Sequence, residues 1–273
     1  MYLVNRNSRG SHRSTAFLMA VTVLAYSIVF PATMATASMP AVASAPLPIG
    51  LILPVTTNQS ISLDQAHEGQ PIEARIAQDV PIASHDKIPR KSSVTGSIVS
   101  IVKSADGSFV DLSLRFDKIE YHKQMISMVT SLRAVASYEA VRHSQIPLTG
   151  ADSGTPTGWA DTTQIGGDIR YGDSGQVRDL HRHVVGKGVF GGVLVHVRAA
   201  PDSDCEGPIN GDDRLQAMWV FSSDACGVYG LPEVHITHSG RTAPIAMMTL
   251  RFEKASMKLD AATALLLRVV SPN

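Results

Sequence analysis

The chain is poor in cysteine, in aromatic residues and in net charge. It has two cysteines among 273 residues, aromatic side chains make up 5%, and 24 basic residues balance 24 acidic ones. Without a basic excess a nucleic-acid partner is not expected, because such partners bind strongly positive surfaces. Beyond residue 45 no run approaches the roughly 18 consecutive apolar residues of a membrane-spanning helix. We therefore expect no transmembrane span in the mature chain.

Motifs that mark common catalytic and cofactor-binding sites are also missing. The sequence has no Gly-x-Ser-x-Gly nucleophile elbow. It has no Gly-x4-Gly-Lys-Ser/Thr phosphate loop. It also has no Cys-x-x-Cys pair of the redox or zinc-binding type. We therefore expect a protein that is not an enzyme and that uses no cofactor.

Acidic residues are absent before Asp64, and this stretch has the order of a secretory signal. Three arginines precede an apolar run of 15 residues, Ala16–Phe30, and small-residue cleavage patterns follow up to Ala45. This order predicts a signal peptide over residues 1–45, and hence export to the periplasm, the cell envelope or the medium. An uncleaved N-terminal anchor is the alternative. Removing the signal leaves 21 basic and 24 acidic residues, a net charge near −3.

Both cysteines lie in the exported part, where an oxidising environment favours their pairing. The sequence therefore predicts one disulfide, Cys205–Cys226. The bond would close a loop of about 20 residues and contribute roughly 3 kcal/mol on the chain-entropy model. Two unpaired buried thiols are the alternative.

Apolar and polar residues alternate with the period of strands rather than of helices. Residues 72–77 and 110–116 show this alternation, and residues 264–270 form an apolar run typical of a buried strand. The pair Asp106-Gly107 between two such runs predicts a hairpin turn. Gly96, in the middle of a predicted strand, indicates a bend or a close approach of another backbone.

We predict an all-β fold, an antiparallel β-barrel or sandwich with a long inserted, loop-rich region. The first part of the barrel or sandwich spans residues 46–140. An inserted region of strands and loops that carries the disulfide spans 141–240, where residues 148–167 have the composition of a long loop. Residues 241–273 return as strands that complete the first sheet. Two smaller β domains are the alternative.

One block of sequence, residues 68–96, resembles a known family. It reads Glu-Gly-Gln-Pro-Ile-Glu-Ala-Arg from residue 68 and Ile-Pro-Arg-Lys-Ser from residue 88, and it ends at Gly96. This resembles the β-barrel domain of TrbI-like proteins, the periplasmic channel component of type IV secretion systems, and related uncharacterised bacterial exported proteins. Where the family usually carries glycine in the second turn, this chain has Lys91. The resemblance implies a periplasmic barrel that assembles with partners, and we carry over the fold rather than the secretion role.

Two histidines are candidates for a metal site. His181 and His183 are two residues apart, so on a strand both imidazoles would share a face. His143 or His196 could supply a third ligand. Two exposed surface histidines without a metal are the alternative.

A second metal hypothesis concerns the acidic loop around Cys205. Its carboxylates and one amide offer the oxygen ligands that Ca²⁺ takes, and the residues are Asp202, Asp204, Asn210, Asp212 and Asp213. Because the spacing of a calcium-binding loop is missing, a solvated acidic loop is the alternative.

Trp159 lies amid glycine and threonine, which favours an exposed ring that contacts a glycan or lines an interface.

These residues leave three functional hypotheses. The first is a non-catalytic envelope or secreted protein that forms homo-oligomers or binds envelope proteins. The second is a glycan- or surface-binding module that uses Trp159. The third is a metal-dependent hydrolase that uses His181 and His183. The first is preferred because no set of catalytic residues is evident.

Overall fold

Strand pairing organises the chain into a larger and a smaller sheet that pack against each other. The computed structural model describes residues 47–83, 85–148, 160–208, 214–254 and 256–271. Over these residues the fold is almost entirely β, with one short helix. The predicted all-β, barrel-like class is therefore confirmed. The predicted signal peptide, residues 1–45, lies outside the described residues.

The larger sheet has ten strands within the described residues. They are β1 (Ile52–Thr57), β3 (Pro71–Ile76), β6 (Ser93–Lys103), β7 (Val110–Tyr121), β8 (Gln124–Ser127), β9 (Thr130–Ala136), β16 (Gly227–Tyr229), β17 (Val234–His238), β18 (Met248–Phe252) and β20 (Ala264–Val269). Their order is β16-β9-β20-β1-β3-β6-β7-β18-β17, and β8 pairs with β7. The pairing of β16 with β9 is parallel, and the others are antiparallel.

The two ends of this order approach each other, so the sheet is nearly closed into a barrel. Strand β16 covers only the last three residues of β9. Further along the same edge of β9, the backbone N–H of Leu132 donates to the carbonyl oxygen of Ser239, just after β17, at 2.7 Å. The interior is filled with apolar side chains, among them Phe116, Leu250 and Leu53.

The smaller sheet has six strands within the described residues. They are β10 (Asp161–Thr163), β11 (Ile169–Tyr171), β12 (Gln176–Arg178), β13 (Val184–Val189), β14 (Gly192–Val195) and β15 (Gln216–Ala217), paired in chain order. The segments that follow β10 and β15 are joined, because Ile165 N–H donates to Val220 O at 2.7 Å and Ser222 N–H donates to Ile165 O at 2.8 Å. The sheet therefore curls around a second apolar cluster.

Shorter elements complete the fold. Two small ladders pair β2 (Ile61–Ser62) with β19 (Lys258–Leu259), and β4 (Val80–Ala83) with β5 (Asp86–Ile88). Helix α1 (Tyr138–Ser144) begins where the Ser137 hydroxyl accepts the Ala140 N–H at 3.1 Å, as N-cap residues do. No described helix has the length and apolar character needed to cross a membrane.

Strands β9 and β20 are buried on both faces. In β20, Leu265 and Leu267 join the cluster inside the barrel, whereas Ala264 and Leu266 join the cluster between the two sheets. In β9, Val135 faces the barrel interior and Ala134 faces the smaller sheet. This double burial explains why residues 264–267 read as a continuous apolar run instead of alternating.

Gln78, just after β3, links the two sheets through its buried side-chain amide. Its Oε1 accepts the backbone N–H groups of Trp219 at 2.8 Å and Val193 at 3.2 Å, and its Nε2 donates to Val193 O at 2.9 Å. Gly192 makes room for this contact, since a Cβ there would lie 2.1 Å from Gln78 Oε1. The amide is thus satisfied inside an otherwise apolar seam, as buried polar groups must be.

Two local predictions from the sequence are confirmed. A Cβ at Gly96 would lie 1.9 Å from Arg115 O, and the register of β6 and β7 shifts at this residue, so the expected close approach is present. Asp106-Gly107 forms the predicted turn between β6 and β7, with Gly107 at φ +72°. Lys91 has φ +72°, a conformation that favours glycine.

The apolar stretch over residues 189–198 is not a single strand. It contains the turn between β13 and β14, where Gly191 adopts φ +80° and Phe190 occupies the tip. The glycine pair Gly191-Gly192 was the signal for this hairpin, but the apolar residues on either side concealed it.

We expect Gln78→Leu to lower the free energy of unfolding by about 2–4 kcal/mol, since it leaves the Trp219 N–H and both Val193 backbone groups unpaired in a buried place. Urea denaturation of the unreduced protein measures the change. Gln124→Leu, at an exposed position of β8, is the matched control and should change it by less than about 0.5 kcal/mol. Equal losses in the two variants would contradict the role of Gln78.

Candidate functional site

The predicted disulfide is present. Cys205 and Cys226 form an S–S bond of 1.93 Å, with their Cα atoms 6.0 Å apart, so the alternative of two free thiols is wrong. Cys205 belongs to the segment between β14 and β15, whereas Cys226 directly precedes β16. The Cys226 backbone N–H also donates to the Tyr229 hydroxyl at 3.0 Å. The bond therefore fastens a loop of the smaller sheet to the edge of the larger one.

His181 and His183 lie in the turn between β12 and β13, and the expectation that they share a strand face is wrong. Their ring centroids are 6.1 Å apart, and both side chains are exposed. The proposed third ligands do not join them: His143 lies in α1, and His196 follows β14. No cluster of three or more His, Cys, Asp or Glu side chains suited to a metal ion occurs among the described residues.

Two other candidates fall in parts of the chain that the structure does not describe. Trp159, the predicted glycan or interface contact, lies outside the described residues. The same holds for Asn210, Asp212 and Asp213 of the calcium hypothesis. Asp204, from the same loop, lines a pocket that is described below.

A buried aspartate–arginine cluster lies beneath the histidine turn. Arg198 approaches three carboxylates: its Nη1 is 2.7 Å from Asp179, and its Nη2 is 3.4 Å from Asp224 and 3.7 Å from Asp168. Asp179 Oδ1 also accepts the backbone N–H groups of His181 and His183, each at 2.9 Å. These bonds hold the histidine turn against the segment that follows β14.

The two most buried carboxylates of this cluster shift in opposite directions. Burial raises the pKa of Asp168 despite the 2.7 Å bond that it accepts from Ser223 N–H. Burial also acts to raise the pKa of Asp179, but the bonds from His183 and Arg198 outweigh it and leave that pKa below its usual value. Asp179 is therefore the carboxylate that stabilises the fold in its charged form.

A groove of about 540 Å³ opens beside the β13–β14 hairpin, and we call it the hairpin groove. Aromatic, amide, hydroxyl and charged groups line it, including Phe190, Trp219, Gln164, Arg170, Asp173 and Ser174. The Phe190 side chain is 92% exposed. Gln164 is buried, and its Oε1 has no hydrogen-bond partner among the described residues. The groove thus combines an exposed aromatic ring with a buried acceptor whose bonding capacity is unused.

A second cavity, of about 240 Å³, adjoins the disulfide, and we call it the arginine pocket. Its charged lining includes Arg133, Arg241, Arg268 and Glu206. Arg133 and Arg268 come from the neighbouring strands β9 and β20 and are only 4% and 8% exposed. Burial, and then the charge of Arg268, lower the pKa of Arg133 to about 10.

A β-bulge aims Arg133 at this pocket. Along the ladder of β9 and β20, Ala134 pairs with Leu266 and Leu132 pairs with Leu267, so Arg133 is the extra residue. Such an insertion changes which face the following side chains occupy. It allows Leu132 and Val135, three residues apart, both to contact the barrel interior.

Sequence reasoning did not single out the arginines or Gln164. A signal was available for two of them, because Arg133 and Arg268 each interrupt an apolar strand and a charged residue is rarely buried without a partner. Gln164 lies in a polar stretch that reads as loop, so its burial has no counterpart in the sequence pattern.

Comparison with known proteins supplies no relative. No protein-family model, no curated protein and no solved structure matches the chain. The resemblance of residues 68–96 to TrbI-like proteins therefore stays a hypothesis.

We expect Asp179→Asn to lower the melting temperature near neutral pH and to have less effect as the pH falls. A carboxyl group whose pKa is lowered by folding stabilises the protein above its unfolded pKa, about 3.9, and this contribution is lost in acid. Thermal unfolding followed by circular dichroism over a pH series measures it. Asp64→Asn, at an exposed position, is the control. If the melting temperature of Asp179→Asn stays below that of the wild type by the same amount down to acidic pH, the charged form of Asp179 is not what stabilises the fold.

Proposed function

We propose that this is an exported, non-catalytic envelope protein that assembles with a protein partner through the β13–β14 hairpin. The exposure of Phe190 carries the proposal. A phenylalanine that is 92% exposed contributes nothing to its own fold, whereas burial against a partner would yield about 1.5–3 kcal/mol. Large aromatic residues of this kind dominate the energetics of many protein interfaces.

The hairpin presents Phe190 on a rigid support, which favours binding. Four backbone pairs, from Gly186↔Val195 to Val189↔Gly192, hold the two strands together. The Gln78 amide anchors β14 to the larger sheet through Val193. Because the backbone of the hairpin is already paired, little backbone conformational entropy is lost on association. The expected signal peptide and the resemblance to TrbI-like barrels agree with an assembly role in the envelope.

The test is the native mass of the unreduced protein extracted from its own cell envelope. We expect a defined complex for the wild type and its dissociation in Phe190→Ser, because the anchor side chain is lost. Light scattering after size-exclusion chromatography measures both. Val102→Ser, at a 55% exposed apolar position of β6, is the matched control and should keep the complex.

Two results would reject the assembly proposal. A wild-type protein that is monomeric in the native extract would exclude a stable partner. A Phe190→Ser variant that keeps the full mass would exclude the hairpin as the interface. Since the ring is exposed, this substitution should change the free energy of unfolding by less than about 0.5 kcal/mol. A larger loss of stability would show that the variant misfolds, and this is distinguished from loss of the interface.

A glycan ligand in the hairpin groove is a second candidate, favoured by one observation. Gln164, whose buried Oε1 has no hydrogen-bond partner among the described residues, lines the groove together with Trp219 and Phe190. Sugar hydroxyls donate hydrogen bonds to buried amide oxygens, and sugar rings stack on aromatic faces. An unsatisfied acceptor costs about 1–3 kcal/mol, so a ligand that donates to it would recover that free energy.

If an oligosaccharide occupies the groove, we expect Gln164→Leu to weaken its binding by about tenfold or more, through the lost hydrogen bond. Titration of a panel of soluble oligosaccharides, followed by NMR chemical shifts, measures the affinity. Gln176→Leu, at an exposed position of β12, should leave it unchanged. The glycan candidate is rejected if no member of the panel binds, or if both variants bind as the wild type does.

A further inference from the structure

The arginine pocket concentrates positive charge that the protein itself neutralises only in part. Three guanidinium groups line it, those of Arg133, Arg241 and Arg268. The carboxylate in contact with them is that of Glu206, whose Oε1 is 2.6 Å from Arg241 Nη1 and whose Oε2 is 4.0 Å from Arg268 Nη2. Asp204 is the other acidic residue of the lining. The described lining therefore has three positive and two negative side chains, before any charge on His238.

The two buried guanidiniums are held by neutral carbonyl groups. Arg133 donates to the carbonyl oxygens of Glu206 and, at 2.7 Å, of Arg198. Arg268 donates to the carbonyl oxygens of Glu206 at 3.2 Å and Gly207 at 2.8 Å. Carbonyl oxygens satisfy N–H donors but bring no formal opposite charge, so Glu206 and, for Arg133, Asp224 provide the compensating charge.

The protein's own acceptors do not use every guanidinium donor of the pocket arginines. Each guanidinium has five N–H donors in a planar fork suited to oxyanions. The bonds to carbonyls use two donor atoms of Arg133 and one of Arg268. Among the described residues, the buried Nε of Arg133 has no hydrogen-bond partner.

We propose that the arginine pocket is a binding site for a small multivalent oxyanion of the phosphate or sulfate class. Arg133 of β9, Arg268 of β20 and Arg241 after β17 would supply charge and donors. A volume of about 240 Å³ holds such an ion together with several waters, each of which occupies about 30 Å³. This site goes beyond the proposed assembly function and shares no lining residue with the hairpin groove.

The disulfide fixes the walls of the site. Cys205 precedes Glu206, whose carbonyl oxygen receives bonds from both buried arginines, and Cys226, just before β16, lines the pocket beside it. Cys205 Sγ also lies 3.5 Å from Arg133 O. The covalent bond thus holds the loop carbonyls next to the guanidiniums. The site is therefore preorganised before a ligand binds.

The test is isothermal titration calorimetry of sodium phosphate, and separately of sodium sulfate, into the full unreduced chain at constant ionic strength. We expect saturable binding of both dianions and none of acetate at the same concentrations. Arg241→Gln should weaken phosphate binding by about tenfold or more, because a charge-assisted hydrogen bond is lost. Glu206→Gln should tighten it several-fold, because a competing carboxylate is removed while the Glu206 backbone carbonyl stays.

Arg115→Gln is the matched control, since Arg115 is an exposed arginine of β7 that pairs with Asp117 at 3.2 Å. It should leave phosphate affinity unchanged. The proposal is overturned if phosphate shows no saturable heat, or if acetate binds equally well. It also fails if Glu206→Gln and Arg241→Gln both lower the melting temperature and leave affinity unaltered, which is the behaviour of a purely structural cluster. The two variants are expected to change phosphate affinity in opposite directions. This outcome distinguishes a binding site from a cluster with a purely structural role.

Discussion

The burial of β9 and β20 on both faces is the constraint on which the rest of the structure depends. One face of each strand fills the barrel, and the other face covers the smaller sheet. Residues 134, 136 and 264, on the face toward the smaller sheet, are alanines. Because their side chains are short, the smaller sheet can approach these strands closely. Each large apolar side chain buried in this way contributes about 1.5–3 kcal/mol. Loss of either layer would expose one face of both strands.

Burying polar groups in a seam of this kind is costly unless they are bonded, and the polar clusters of the molecule bond most of theirs in different ways. Gln78 satisfies backbone groups of the smaller sheet through its amide. Asp179 and Arg198 neutralise each other at 2.7 Å. Arg133 and Arg268 bond to loop carbonyls, and Glu206 supplies the nearby carboxylate. Of these clusters, the arginine pocket is the one whose described lining has more positive than negative side chains.

Much of the fold was predictable because strand alternation is a local property. Pro71–Ile76 and Val110–Tyr121 show it plainly, and Gly96 and Gly107 marked a close approach and a turn. The candidate site was harder to predict from the sequence. His181 and His183 are close in sequence, yet they lie in a turn over Asp179 because the backbone N–H groups of both bond to its carboxylate. Gln164 and Arg241 become candidate site residues only because residues far from them in the sequence lie beside them in the fold.

The sequence by itself determined the all-β class, the single disulfide and the main strand positions, because these follow from residue period, cysteine number and turn chemistry over a few residues. Only the tertiary structure decided which strands are covered twice, where the barrel closes and which side chains meet at a cavity. Arg133 and Arg268 are 135 positions apart in the chain and adjoin in space because β9 pairs with β20. Such pairings depend on long-range register, which no local pattern specifies.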